Sequence, residues 1–211
     1  MRIRTEPFMI NRSPLFKERM RIVRFLMLLG APTLLFIAPV TQEFTFWHEL
    51  MEILAHLLVF SGVLIRVYTS LYSGGRKNAV LLTDGPYSVV RNPLYIGSLF
   101  AVIGLGLQTG SMIVAAVATT IFLVLHYWTI QKEEAFLQGH YGDAYRNYLR
   151  MVPRWMPNLS LWHQTHELVV QPRMVLLTMR DACGFILALL LIETLCALRI
   201  SAMLPAWIIL P

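Results

Sequence analysis

Charge is scarce in this chain. Only 14% of its 211 residues are Asp, Glu, Lys or Arg, where an ordinary soluble domain carries about 25%. Hydrophobic residues make up 56%, and the mean hydropathy is +0.58. A soluble fold of this length has too little interior to hide so much apolar side chain, so the shortage of charge excludes that class. Cysteine is also scarce: Cys183 and Cys196 stand thirteen residues apart in one apolar stretch. On a helix that separation is roughly 20 Å, so the two cannot bridge each other, and a disulfide scaffold is excluded. Internal repeats and low-complexity tracts are lacking, which sets aside solenoids and long linkers. The N-terminus has Arg2, Arg4, Glu6, Arg12 and Lys17 ahead of any apolar run. It lacks the short apolar core and small-residue cleavage site of a signal peptide, and is expected to stay attached. The 12 acidic and 18 basic residues give +6. In a membrane protein the placement of charge matters more than its sum, so the basic balance does not point to nucleic acid.

What is present is a series of long apolar runs. Crossing a bilayer core takes about 20 mainly apolar residues. Five segments approach this: Ile22–Val40 with Gly30 and Pro32 inside it, Phe46–Tyr72, Leu94–Leu107, Met112–Ile130 and Ala182–Ile200. The third would span only about 21 Å. It is joined to the fourth by Gln108-Thr109-Gly110-Ser111, a turn short enough to make an antiparallel helical hairpin. Basic residues collect on the cytoplasmic side of membrane proteins. With the N-terminus inside, seven fall before or at Arg24, four from Arg66 to Arg91 and six from Lys132 to Arg180, leaving Arg199 alone outside. The loop after the first helix instead carries Glu43, Glu49 and Glu52. The reading is an all-α, polytopic integral membrane protein of about five transmembrane helices, N-terminus cytoplasmic and C-terminus outside. Residues 1–81 form an N-terminal part with two helices, 82–157 a core of hairpin plus cytoplasmic helix, and 158–211 an amphipathic linker with the last helix.

Three polar stretches could carry chemistry. Gly85-Pro86-Tyr87 is a turn, and Arg91-Asn92-Pro93 opens the hairpin, with Pro93 suited to the first helical turn. A helix N-terminus there presents unpaired N–H groups and partial positive charge to a carboxylate or phosphate, and Arg91 adds a fork of donors. Gly97, Gly104 and Gly106 let a neighbouring helix or a flat ligand come close to the backbone. Glu133 and Glu134 stand where the fourth helix leaves the membrane. Because the hairpin is antiparallel, they return to the face where Arg91 and Asn92 began, and they can accept from ribose hydroxyls or an ammonium group. Tyr141, Tyr145 and Tyr148 then line one side of a helix ending in Val152-Pro153-Arg154; for Tyr141 and Tyr148 an interfacial belt position is the plainer reading.

These segments, in this order, resemble the shared C-terminal core of the isoprenylcysteine carboxyl methyltransferase and phospholipid methyltransferase families, over about residues 82–157. The resemblance implies a membrane-edge site in which S-adenosylmethionine lies between the hairpin and the cytoplasmic helix, reached from the bilayer by a lipophilic acceptor. Transferred residue by residue, it puts Glu133 and Glu134 on the cofactor's polar groups and Arg91 and Asn92 on its carboxylate. Tyr87 and Tyr95 pack around it, with Gly97, Gly104 and Gly106 close to it. Glu134, Arg146 and Arg154 are the catalytic candidates, the arginines holding an anionic acceptor. Asn92 stands where the isoprenylcysteine enzymes usually have His, whereas the Val-Pro-Arg ending is closer to them, so O- and N-methylation both stay open. No metal is expected.

Other polar residues in apolar surroundings have plainer readings. His48, Glu52 and His56 share a helix face as a hydrated stripe, Glu193 makes a contact within the helix bundle, and His126 either lines the cavity or packs in the core. The rival functions are an NAD(P)H-dependent membrane reductase of related fold and a non-catalytic membrane accessory protein.

Overall fold

The computed structural model describes residues 37–39, 46–73, 80–165, 168, 170–200 and 208–210. Most of this is helix. We label the helices α1 (Phe46–Ser73), α2 (Pro86–Val89), α3 (Pro93–Gln108), α4 (Met112–Tyr141), α5 (Asp143–Met151) and α6 (Pro172–Ile200), with a 3-10 turn at Leu159–Leu161. Three of them, α1, α4 and α6, are long and apolar enough to cross a membrane, and α3 is a shorter apolar helix. They face outward with large apolar side chains, among them Phe60, Leu64, Val117 and Leu187, a surface suited to acyl chains. The protein is an integral membrane protein.

The expected count of five crossings is not reproduced among the described residues. Ile22–Val40 lies outside them except for Ile37–Pro39, which is extended and pairs in parallel with Ile208–Leu210. Two expected helices are longer than their apolar runs. α4 continues past Ile130 to Tyr141, and α6 starts at Pro172 rather than Ala182. Hydropathy marks only the part of a helix that lipid covers. Backbone hydrogen bonding carries it on into polar sequence.

The hairpin is set by local chemistry. Asn92 caps α3 with Pro93 at its first position, where the missing N–H costs nothing. At the far end the Thr109 hydroxyl donates to Gly106 O at 2.7 Å, Gly110 adopts φ 73°, and the Ser111 hydroxyl accepts from Val114 N to start α4. Only glycine takes that positive φ readily. α1 packs along α3 through Gly62 and Gly97: a Cβ on Gly62 would lie 2.4 Å from Gly97 O, and one on Gly97 would lie 2.8 Å from Gly62 O. The two backbones are therefore in direct contact, the close approach that small residues permit between membrane helices. One turn further along α1, Arg66 donates to the Ser98 hydroxyl of α3 and lies over the Phe185 ring of α6. α6 thus closes the bundle on the side of α1.

Candidate active site

At the end of the bundle where α3 begins and α4 finishes, residues 84–92 lie antiparallel to residues 149–163. Gly85 N–H donates to His163 O at 2.7 Å, Asn158 N–H to Val89 O at 2.9 Å and Arg91 N–H to Pro153 O at 3.0 Å. This stitching satisfies the backbone groups of two segments that are not strands. It also fixes Arg91 and Arg154 side by side.

Between them stands Glu134, only 7% exposed. Arg154 grips its carboxylate with two donors, Nε to Oε1 at 3.1 Å and Nη2 to Oε2 at 2.5 Å. Arg91 Nη1 approaches Oε1 at 3.6 Å, while Arg91 Nε and Nη2 donate to Val152 O and Leu149 O at 2.6 and 2.5 Å. A single carboxylate thus ties the exit of α4 to the start of α3 and to the chain after α5. The fork geometry of guanidinium suits this bidentate pairing, which lysine could not reproduce. Glu133, next to it and half-buried, accepts instead from the Tyr95 hydroxyl at 3.2 Å.

The structure therefore brings Arg91, Asn92, Tyr95, Glu133, Glu134 and Arg154 to one end of the hairpin. It does not bring Arg146, which is 58% exposed on its side chain and pairs with Asp143 at 2.8 Å within its own helix. The glycines expected to border a flat ligand are filled by protein. A Cβ on Gly104 would meet Ala55 O at 2.6 Å, one on Gly106 the Ala115 backbone at 2.5 Å, and one on Gly97 the Gly62 carbonyl. Their close approach serves helix packing, because α1 and α4 reach those faces first.

Tyr148 is not an interfacial belt residue. It is 4% exposed, packs with Tyr145 and Val152 and donates to Tyr87 O at 2.8 Å. The sequence offered one signal for this: α5 has polar residues at 143, 146, 147 and 150, which leaves 145, 148 and 152 as its apolar face. Burial pushes the Tyr87 hydroxyl up to about 12 and raises Tyr145 and Tyr148 further, with the Glu134 charge helping at Tyr145 and the neighbouring Tyr145 and Tyr87 hydroxyls at Tyr148. A group whose folded value is raised contributes stability below its unfolded value, near 10, and loses that contribution as pH rises through the folded one. Absorbance titration of tyrosinate should accordingly show these three ionising well above the ordinary tyrosine value near 10, accompanied by loss of helicity above about pH 12. Ionisation of all tyrosines in one step near pH 10 would contradict the burial.

Glu193 of α6 makes a contact within the bundle, facing His56 of α1 with Oε2 3.8 Å from Nε2, and His56 Nδ1 donates to Glu52 O at 2.8 Å. Among the described residues no three His, Cys, Asp or Glu side chains gather as metal ligands. Beside Arg91, an open groove of about 510 Å³ runs along Leu149, Val152, Pro153, Met156 and Asn158, within the size range of about 300–1,000 Å³ usual for small-molecule sites. Two polar atoms are buried without partners near this end, Asn92 Nδ2 and the Tyr141 hydroxyl.

Comparison with known proteins adds a lineage. The phospholipid methyltransferase family profile matches residues 49–144. The chain is 39% identical over 97 residues to the cobalt-zinc-cadmium resistance protein CzcN of Cupriavidus metallidurans, covering 46% of this chain and 44% of that one. It is 29% identical over 146 residues to the nickel-cobalt-cadmium resistance protein NccN of Alcaligenes xylosoxydans, covering 69% and 68%. To protein-S-isoprenylcysteine O-methyltransferase of Schizosaccharomyces pombe it is 31% identical over 81 residues, covering 38% and 34%. The match thus spans less than half of the first and third relatives. No solved structure matches the chain. The region matched by the family profile holds α3, Arg91, Glu133 and Glu134, and over residues 49–144 the chain is similar to the phospholipid methyltransferases.

Proposed function

We propose that the protein transfers a methyl group from S-adenosylmethionine to a lipophilic acceptor at the cytoplasmic edge of the membrane. The observation that carries this reading is the Glu134 knot, which holds the start of α3, the exit of α4 and the segment after α5 in one rigid frame. The residues suit the cofactor. Asn92 Nδ2, buried and unpartnered at the positive end of α3, is a donor for its carboxylate. Glu133 is an acceptor for its ammonium or ribose hydroxyls. When bound, S-adenosylmethionine supplies an electrophilic methyl on a sulfonium, and the protein's task is to align donor and acceptor at near-attack distance. Glu134 and Arg154 are engaged with each other, so their part is to position the site. Tyr87, whose carbonyl is held by Tyr148, and Tyr95 form its walls. The orientation, N-terminus and site cytoplasmic and C-terminus outside, rests on the basic residues gathered at this end.

Calorimetric titration of purified protein should show saturable binding of S-adenosylmethionine and none of NADPH. Labelled donor should also place label in lipid-extractable material. Binding of NADPH alone would make the chain a reductase, and binding of neither an accessory protein. The similarity to CzcN and NccN supports a second reading, a role in resistance to divalent metals. Rescue of metal-sensitive cells by the wild type but not by Glu133→Gln would join the two readings; equal rescue would separate resistance from methyl transfer.

A further inference from the structure

The open groove beside Arg91 is a recess apart from the residues assigned to the cofactor. Arg91 belongs to both, but Asn92, Tyr95, Glu133 and Glu134 do not line it; its other walls are residues 149–153 and 156–159. Two of its qualities belong together at a lipid surface.

The first is an apolar rim. Met151, Met156 and Leu159 are 65%, 80% and 75% exposed, a cluster that water disfavours and that marks an interaction surface. Just past it, Trp162 stacks on Tyr68 of α1, with ring centroids 6.2 Å apart and planes at 16°. The 28 residues of α1 rise about 42 Å against a bilayer core of about 30 Å. With the excess shared between its ends, Tyr68 stands at the lipid boundary, the depth at which tyrosine and tryptophan collect. Leu159 is three residues before Trp162, so the groove opens beside the headgroups.

The second is charge. Residues 142–165 hold one acid, Asp143. It pairs with Arg146, and Arg154 pairs with Glu134. Arg150, exposed in the last turn of α5 and lining the groove, has no carboxylate partner among the described residues. On the same wall Arg91 covers the carbonyls of Leu149 and Val152, which would otherwise repel an anion. Asn158 Oδ1 accepts from Ser160 N at 3.1 Å and from Ser160 Oγ at 2.7 Å; its Nδ2, a pure donor, is left for a ligand. A guanidinium and an amide donor inside a rim of Met and Leu fit a phosphodiester that carries acyl chains. Free phosphate would use the donors and leave the rim in water.

We propose that this groove is a docking site for an anionic phospholipid of the adjoining leaflet, held there and not methylated. Its phosphodiester lies against Arg150 and the Asn158 amide, and its glycerol and first acyl carbons cover Met151, Met156 and Leu159. The same walls supply the carbonyls that hold Arg91, so a bound lipid stiffens the segment that folds over the site. Docking needs no methyl donor and is measurable whether or not the protein transfers methyl groups.

The full chain, reconstituted in nanodiscs of mixed phosphatidylcholine and phosphatidylglycerol and then exchanged into detergent, should retain phosphatidylglycerol preferentially, as counted by mass spectrometry. Added phosphatidylglycerol should raise its unfolding temperature, as a ligand of the folded state does. Arg150→Gln should retain roughly fivefold less, the factor equivalent to about 1 kcal/mol for one arginine at an anionic surface, and lose most of the thermal shift. Arg150→Lys should keep part of both. Arg146→Gln, on the same helix but outside the groove, should match the wild type. Met156→Ser combined with Leu159→Ser should weaken retention with no change of charge. Equal retention of the two lipids by the wild type, or equal losses in Arg146→Gln and Arg150→Gln, overturns the proposal, since attraction would then belong to the basic surface as a whole. An equal thermal shift from inorganic phosphate also overturns it, as does label from S-adenosylmethionine in the retained phosphatidylglycerol.

Discussion

Replacing Glu134 by Gln is expected to reduce methyl transfer by about 10²-fold, the scale of loss that a displacement of about 1 Å in donor or acceptor produces, and to lower the unfolding temperature of the purified protein. Gln keeps the shape and one acceptor but removes the charge, leaving Arg91 and Arg154 facing each other without their shared anion. Breaking a fully buried ion pair costs about 3–5 kcal/mol. Arg154 is 29% exposed on its side chain, so solvent screening reduces this to roughly 2–3 kcal/mol. Glu134→Asp retains the charge at a shorter reach and should fall between the two. Thermal unfolding in detergent and a rate with labelled donor are the measurements. A Gln variant that unfolds at the wild-type temperature and transfers at the wild-type rate would mean that the knot is incidental to both fold and chemistry.

The second large effect is expected at the crossing of α1 and α3, far from any reacting group. In Gly62→Ala the added Cβ would lie 2.4 Å from Gly97 O and 2.9 Å from Ala101 N, both backbone atoms that cannot turn aside. In Gly97→Ala it would meet Gly62 O at 2.8 Å and the flexible Arg66 Cγ at 2.9 Å. Overpacking costs about 1–3 kcal/mol, and within lipid the helices have little hydrophobic drive to compensate, since close packing itself holds them. Both variants should be less stable, Gly62→Ala the more so, and both should weaken the neighbouring bond from Arg66 to Ser98. The fraction that folds should bind S-adenosylmethionine with unchanged affinity. If Gly97→Ala instead weakened cofactor binding at wild-type stability, Gly97 would border the ligand and not α1.

Much of the architecture was legible because it is encoded locally. The apolar runs 46–72 and 94–107 are helices at nearly those bounds, and the run 112–130 opens a helix that continues to Tyr141, since length and hydropathy of a single segment suffice to specify a membrane helix. Asn92-Pro93 and Thr109-Gly110-Ser111 mark the hairpin ends through caps and a positive φ, all chemistry within one turn of chain. The antiparallel return of Glu133 and Glu134 to Arg91 follows from the shortness of that loop alone.

Which side chains join across the site was not legible in the same way. Arg154 grips Glu134 from twenty residues away, and Arg91 reaches carbonyls about sixty residues distant. These pairings depend on how residues 142–163 fold back over residues 84–92, and no local signal specifies that angle. A glycine in a membrane helix reads equally well as room for a ligand or for another helix; only the position of α1 decided for the helix at Gly97 and Gly104. By itself the sequence determined the membrane class, the hairpin and the end of it at which the polar residues meet, because hydropathy and turn chemistry act over short stretches of chain. The tertiary structure alone decided that Glu134 serves as a clasp, that Tyr148 is interior and that Tyr95 donates to Glu133. Those outcomes rest on distances between segments remote in the chain, which packing sets and composition does not.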